Sequence, residues 1–138
     1  MNQYKPPCSS KAADGAIRGA LIGLVWGGVF ASPPLPAEAG ASVGASALKR
    51  AGRVGGSMLR HGGGFAAFLA VYNGVTCTAE AARGGKDDAL NAALGGFSAG
   101  ALAAMRVRNP LHALAVAGGT GCFTAAIYTM RGGSGDGL

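Results

Sequence analysis

Ser42 is the first residue in the sequence whose surroundings resemble a catalytic motif. With glycines at positions 40 and 44 it matches the Gly-x-Ser-x-Gly pattern, in which a strained strand-to-helix turn exposes a nucleophilic serine. No strand-forming run precedes Ser42, and 138 residues are too few for the sheet that this fold requires. Because the surrounding segment is rich in Gly, Ala and Ser, a chance match is expected, and we predict no catalytic residue here.

Gly85 and Lys86 resemble the end of a phosphate-binding loop. That loop requires Ser or Thr where Asp87 stands and its first glycine where Glu80 stands. A metal site would need clustered ligands, but the three cysteines and two histidines are scattered, without Cys-x-x-Cys spacing. We therefore predict no catalytic, cofactor-binding or metal-binding residue, no cofactor and no small-molecule substrate, and a protein that is not an enzyme.

A cluster of mixed charges lies just after Cys77. It is either a solvated loop, as most charged loops are, or an ion-pair corner in which Asp87 or Asp88 lies at the N-terminus of the next helix, where the helix dipole favours an anion. Asn91, one turn later, could hydrogen-bond to a neighbouring helix, because an amide that faces lipid is costly. The cluster comprises Glu80, Arg83, Lys86, Asp87 and Asp88.

The composition indicates a membrane protein. Apolar residues make up 49% of the chain and charged residues only 13%, against roughly 25% charged residues in soluble domains. The net charge of +6 could indicate nucleic acid as a partner, but the basic residues occur singly or in pairs and no aromatic-plus-basic module is present. Anionic lipid headgroups are the acidic partner that this pattern favours.

Glycines recur at every fourth position from Gly15 to Gly27. Residues four apart lie above one another on a helix, so these glycines form a bare ridge that allows a partner helix to approach closely in a membrane. The same spacing of small residues recurs three times, which predicts four helices packed tightly on one another through small-xxx-small contacts. The predicted packing glycines are Gly15, Gly19, Gly23, Gly27, Gly95, Gly96 and Gly100.

The sequence therefore predicts an all-α membrane protein with four transmembrane helices. Prolines 33, 34 and 36 end the first helix, and the segment 37–60 is expected to connect it to the second helix, with a short interfacial helix. Residues 1–13 are expected to be a polar N-terminal tail, and 132–138 a Gly-rich tail. Within the domain of residues 14–131, the predicted helices cover about 16–31, 62–82, 89–105 and 111–130.

Four spans place both termini on the same side of the membrane. That side also receives Cys8, before the first helix, and Cys77, near the end of the second. A disulfide between them in an oxidising compartment and two separate buried thiols are both compatible with the sequence, whereas Cys122 is expected to stay free. Lys and Arg are balanced between the two sides, so the positive-inside rule gives little direction; we expect the connections after the first and third helices to face the matrix-like side.

At the charged corner the sequence resembles a known family. The pattern Cys77-x5-Arg83-x3-Asp-Asp-x-Leu-Asn-x3-Gly-Gly-x3-Gly100 is similar to the signature of the mitochondrial inner-membrane translocase superfamily of preprotein and amino-acid transporters. Its Asp-Asp-x-Leu-Asn core, with this cysteine spacing, more closely resembles the superfamily's respiratory branch, the accessory subunits of complex I (NADH:ubiquinone oxidoreductase). The resemblance extends from about Cys8 to Arg131 and is motif-specific from Cys77 to Gly100.

The resemblance implies several structural features. Both termini would face the intermembrane space, and Cys8 and Cys77 would form a disulfide on that side. Arg83 and one of the two acids, Asp87 or Asp88, would belong to the family motif, with Asn91 and the glycines beside them. The spacing is one residue longer than the simplest form of the signature if Asp88 is the motif acid.

The function implied is that of a non-catalytic accessory subunit of mitochondrial complex I in the respiratory chain. Its expected partners are membrane-arm subunits and anionic lipids such as cardiolipin, without nucleic acid. The alternative is a subunit of an inner-membrane protein-import translocase, which should line one face of its spans with polar residues. A plastid or peroxisomal solute channel of the superfamily is a third possibility. Beyond Asn73, Asn91, Ser98, Thr120 and Thr124, the predicted spans offer few polar residues for such a face.

Overall fold

The computed structural model describes residues 6–30, 43–105 and 108–132, and within them the chain forms four α-helices and no strand. The helices are α1 (Cys8–Phe30), α2 (Val43–Ala82), α3 (Ala89–Ala104) and α4 (Pro110–Met130). The prediction of an all-α protein is confirmed. Ser42 and the prolines at 33, 34 and 36 lie outside the described residues.

Helix α1 begins at Cys8 instead of at residue 16, so residues 8–13 belong to a helix and not to a polar tail. The backbone amide of Ser10 donates to the carbonyl oxygen of Pro7, 3.0 Å away, and closes the first turn. Lys11, one turn later, forms an ion pair with Glu80 of α2, with 3.5 Å between Nζ and Oε2. Because contacts with α2 stabilise this polar first turn, the local sequence did not indicate it.

Helix α2 is a single helix of 40 residues, whereas the sequence predicted a helix from residue 62 and a separate interfacial helix within 37–60. No proline interrupts residues 43–82, and the Lys and Arg side chains in this segment favour helix. At about 1.5 Å per residue α2 is roughly 60 Å long, which is twice the thickness of a hydrocarbon core.

Polar caps and glycines set the ends of the remaining helices close to their predicted positions. Asp88 caps α3 by accepting a hydrogen bond from the backbone amide of Asn91. Asn109 caps α4 by accepting from the amide of Leu111, 3.0 Å away. The turn between α2 and α3 contains Gly84 and Gly85 with φ of 72° and 87°, a left-handed conformation that favours glycine.

The helices form an open row and not a closed bundle. Each helix packs antiparallel on the next in chain order, and no other pair of helices is in contact within the described residues. The prediction that four helices pack on one another therefore holds only for chain neighbours. The outer face of α1, with Val25 and Val29, and that of α4, with Leu114 and Phe123, consequently remain exposed.

Two of the described helices, α1 and α4, are long and apolar enough to cross a membrane. Helix α3 is apolar but has only 16 residues, which cover about 24 Å against a hydrocarbon core of about 30 Å. Helix α2 combines its apolar stretch with basic residues and many glycines. Two candidate spans fit a membrane protein, while the prediction of four transmembrane helices exceeds what length and hydropathy support.

Candidate functional site

Four of the five glycines of α1, all except Gly28, are buried against the backbone of α2. A Cβ atom added to Gly23 would stand 2.7 Å from Cα of Gly62, and one added to Gly27 would stand 2.7 Å from Cα of Met58. At Gly15 it would stand 2.6 Å from the carbonyl oxygen of Leu69. Because the obstructing atoms are backbone atoms, any larger residue on this ridge must push the two helices apart.

Helix α3 presents glycines to both of its neighbours. Gly95 faces α2, where an added Cβ would stand 2.9 Å from the carbonyl oxygen of Tyr72. Gly96 and Gly100 face α4, where a Cβ on Gly100 would stand 3.0 Å from Cα of Ala117. The adjacent glycines at 95 and 96 point about 100° apart on the helix, which places one on each interface. All seven predicted packing glycines therefore lie at helix contacts.

Thr120 and Thr124 join α4 to α3. The hydroxyl of Thr120 lies 2.9 Å from the carbonyl oxygen of Gly96, and that of Thr124 lies 2.8 Å from the carbonyl oxygen of Ala92. Both hydroxyls also lie within hydrogen-bond distance of carbonyls in their own helix. The sequence suggested these residues only as possible pore-lining groups. Their spacing of four, matching the ridge of α3, was the signal for an interface.

The first turn of α1 is fixed to the end of α2. Cys8 and Cys77, which are 69 positions apart in sequence, form a disulfide with their Cα atoms 5.5 Å apart. Lys11 and Glu80, each three residues after a bonded cysteine, form an ion pair that joins the same two helices. Of the two alternatives that the residues left open, the structure contains the bonded pair, whereas Cys122 is free and exposed.

The charged segment after α2 forms an ion-pair corner. Arg83 Nη1 donates to Asp88 Oδ1 at 2.6 Å and to Asn91 Oδ1 at 2.9 Å. The side-chain amide of Asn91 donates to the carbonyl oxygen of Lys86 at 2.5 Å, and Asn91 is fully buried. The hydrogen bond from Arg83 lowers the pKa of Asp88 below its ordinary value, and the same contact raises the pKa of Arg83.

The two neighbouring acids have different contacts. The carboxylate of Asp88 binds Arg83 and caps α3. The Asp87 side chain is exposed, while its backbone carbonyl accepts a hydrogen bond from the Tyr128 hydroxyl of α4, 3.0 Å away. The geometry therefore assigns the paired acid of the motif to Asp88. Tyr128, near the end of α4, contacts this corner, and the disulfide fixes Cys8, at the start of α1, to the nearby end of α2. The start of α1 and the end of α4 therefore lie on the same side of the row.

The two histidines take no part in a cluster of titratable side chains among the described residues. His61 Nδ1 lies 2.9 Å from the carbonyl oxygen of Ser57, and His112 is exposed. In residues 6–30, 43–105 and 108–132, no three His, Cys, Asp or Glu side chains are grouped as metal ligands.

An open groove of about 370 Å³ between α3 and α4 is lined by apolar side chains, among them Phe97, Met105 and Leu114.

Comparison with known families agrees with the signature at the corner. The model of the Tim17/Tim22/Tim23/Pmp24 family matches residues 8–133, a range that contains all four described helices. No curated protein matches the sequence. The match includes both cysteines of the disulfide, the polar corner and every glycine of the helix contacts. On this ground the chain belongs to the Tim17/Tim22/Tim23/Pmp24 family.

Proposed function

We propose that the chain is a non-catalytic structural subunit of a multi-subunit complex in the mitochondrial inner membrane. The main observation behind this proposal is that the surfaces between the helices and the outer surfaces of the protein differ in their residue types. Contacts between its helices are made by small residues and internal hydrogen bonds, whereas large apolar side chains face outward on the two outer helices. Val25 is 67% exposed and Leu111 is 74% exposed. Such faces suit lipid and larger apolar partner subunits.

The polar groups of the helices favour adhesion over conduction. Asn73 donates to the carbonyl oxygen of Leu69 at 2.8 Å, and Thr76 donates to that of Tyr72 at 2.7 Å. Thr120 and Thr124 bond to α3 and to their own helix. A hydrophilic groove for polypeptides would need polar side chains directed at the passing chain, and these groups are instead engaged within the protein.

A stagger between the helices supports a protein neighbour in addition to lipid. Gly19 of α1 lies against Phe65 of α2, and Gly95 of α3 lies against Tyr72. Since α3 ends at Ala104, α1 extends beyond it by roughly 15 Å at 1.5 Å per residue. If the helices run along the membrane normal, the apolar end of α1 lies at a different depth from the α3–α4 pair. A flat hydrocarbon core of about 30 Å therefore cannot cover both apolar surfaces fully, and a protein neighbour can cover the remainder.

The family match favours a protein-import translocase as the complex that contains this subunit. The match extends over residues 8–133, and membership of the Tim17 family suggests a role in mitochondrial protein import. In such a complex the chain would contribute tightly packed helices to the membrane part. Its glycine ridges would hold the helices together, and the disulfide would hold α1 in place where the first turn meets the end of α2.

Respiratory complex I is the second candidate, and the ion-pair corner is the observation that favours it. The run Asp87-Asp88-x-Leu90-Asn91 resembles accessory alpha-subcomplex subunit 11 of complex I, and Asp88 and Asn91 are the residues bound by Arg83. In that complex the chain would pack on membrane-arm subunits and carry no electrons. Both candidates place the termini in the intermembrane space.

Native gel electrophoresis of mitochondria solubilised in a mild detergent separates the two candidates. A tagged chain that comigrates with NADH dehydrogenase activity belongs to complex I, and one that comigrates with import complexes belongs to a translocase. Mass spectrometry of the chains that copurify with the tag identifies the direct neighbours. A chain that migrates alone under conditions that preserve both complexes would contradict a role as a structural subunit.

A further inference from the structure

The N-terminal part of α2 carries a group of positive charges and contains no acidic residue. Residues 43–79 contain no Asp or Glu, and the basic side chains in this segment are exposed. None of them forms an ion pair with another part of the chain that the structure describes. The group comprises Lys49, Arg50, Arg53 and Arg60.

Three of these cations lie on one face of the helix. Lys49, Arg53 and Arg60 are four and seven positions apart, a spacing that keeps them within about 40° of arc. We call them the basic stripe. Met58 and Gly62 face α1, and by helical periodicity that direction is nearly opposite to the stripe. Because α1 packs on the opposite side of α2, the basic stripe is directed away from α1.

Apolar side chains flank the basic stripe on the same segment. Leu48 is 77% exposed and Leu59 is 73% exposed, and both lie roughly 90° around the helix from the stripe. Trp26 and Val29, near the end of α1, are exposed as well. A helix with a basic face next to an apolar face is typical of a segment that lies at the surface of an anionic membrane.

We propose that the basic stripe binds the phosphate groups of anionic phospholipids at the membrane surface. Lys49 and Arg60 are separated by about 17 Å along the helix, so the stripe can contact more than one phosphate at once. Residues 43–60 contain no aromatic side chain that could stack on the bases of a nucleic acid. The proposal rests on the membrane location in the proposed function but not on which complex contains the chain.

Lipid retention by the purified chain tests this proposal. The chain is extracted in a nonionic detergent and titrated with phosphatidylglycerol or phosphatidylcholine, and bound lipid is counted by native mass spectrometry. We expect selective retention of phosphatidylglycerol. Replacing the stripe (Lys49→Gln, Arg53→Gln and Arg60→Gln together) should weaken that retention about 100-fold, since each basic residue near an anionic surface contributes roughly a factor of five.

The matched control removes three positive charges elsewhere. The triple variant Lys86→Gln, Arg108→Gln and Arg131→Gln changes exposed residues outside α2 and should retain phosphatidylglycerol as the wild type does. A second variant keeps the charge of the stripe (Lys49→Arg, Arg53→Lys and Arg60→Lys) and should retain the lipid as well. The disulfide, scored on a non-reducing gel, and the helical signal in circular dichroism establish that each variant is folded.

Three results would overturn the proposal. Equal loss of lipid in the stripe variant and in the control would show an effect of net charge alone, and unchanged retention in the stripe variant would show that the stripe does not bind lipid. Displacement of the lipid by millimolar inorganic phosphate or by duplex DNA would identify a different ligand. If the stripe variant loses lipid but still comigrates with its complex, the lipid site is supported independently of complex membership.

Discussion

Gly23 of α1 and Gly62 of α2 lie so close together that a Cβ atom on Gly23 would stand 2.7 Å from Cα of Gly62. No side chain separates the two backbones at this point, and at Gly19 and Gly27 the nearest atoms are likewise backbone atoms of α2. Helices that approach this closely gain van der Waals contact in a membrane, where the hydrophobic effect does not hold helices together. The packing of α1 on α2 therefore depends on the absence of side chains.

The first prediction concerns a single methyl group on this ridge. Gly23→Ala should lower the free energy of unfolding in detergent by about 1–3 kcal/mol, because the backbone of α2 obstructs the added atom. Gly28→Ala is the matched control, since an added Cβ there would meet only the side chain of Met58 at 3.6 Å or more. Thermal unfolding followed by circular dichroism measures both, and equal melting temperatures would contradict the close approach.

The second prediction concerns the threonines between α3 and α4. Thr120→Val together with Thr124→Val keeps the side-chain shape but removes the hydroxyls that lie 2.9 and 2.8 Å from carbonyl oxygens of α3. Each interhelical hydrogen bond in a membrane protein contributes about 0.5–2 kcal/mol. Thr129→Val is the control, because its hydroxyl bonds only to Ala126 in its own helix. A double variant as stable as this control would contradict the role of the threonines.

The third prediction distinguishes the two acids at the corner. Asp88→Asn should lower the melting temperature, because the charged acceptor of Arg83 is lost and the cap of α3 is weakened. Asp87→Asn should have little effect, since Asp87 contributes its backbone carbonyl to Tyr128. The comparison is made on the two purified variants at neutral pH. The reverse order of stability would assign the motif role to Asp87.

The fourth prediction follows from the lowered pKa of Asp88. Because the folded state favours the ionised carboxylate, its contribution to stability is fully present above the ordinary pKa of about 4 and is lost as the pH falls through the lower pKa of the folded state. The stability difference between wild type and Asp88→Asn should therefore narrow on acidification below about pH 4. A difference that stays constant down to pH 2 would contradict the ion pair.

The fifth prediction concerns the cysteines. A maleimide reagent should label Cys122 without reduction, because that thiol is free and exposed, and should label Cys8 and Cys77 only after reduction. Replacing both bonded cysteines with serine should destabilise the chain by about 2–4 kcal/mol. The counter-result is labelling of all three cysteines in the oxidised, folded protein. Intact mass spectrometry counts the added labels.

Patterns within a few turns of helix were readable from the sequence, and contacts between distant residues were not. The spacing of Gly15 to Gly27 and the presence of an acid, Asp87 or Asp88, at the N-terminus of α3 each follow from local rules. The start of α1 at Cys8 could not be predicted in this way, because it depends on bonds to α2.

The arrangement of the helices in an open row and the role of the threonines also could not be predicted from the sequence. A small-residue ridge shows that a helix has a close neighbour but not which helix that is, so a closed bundle was as compatible with the pattern as an open row. The sequence shows that Thr120 and Thr124 are polar, but the role of their hydroxyls depends on the carbonyl groups of α3 that lie beside them. The choice between Asp87 and Asp88 likewise required the position of the Arg83 side chain.

The measurement that tests the structural role most directly compares two variants by native electrophoresis of solubilised mitochondria. Wild type and the control Gly28→Ala should comigrate with a large inner-membrane complex. Gly19→Leu together with Gly23→Leu should leave that complex, because leucine on the ridge separates α1 from α2. If the double leucine variant remains in the complex at the wild-type level and resists detergent equally well, close packing of these helices is not what the complex requires.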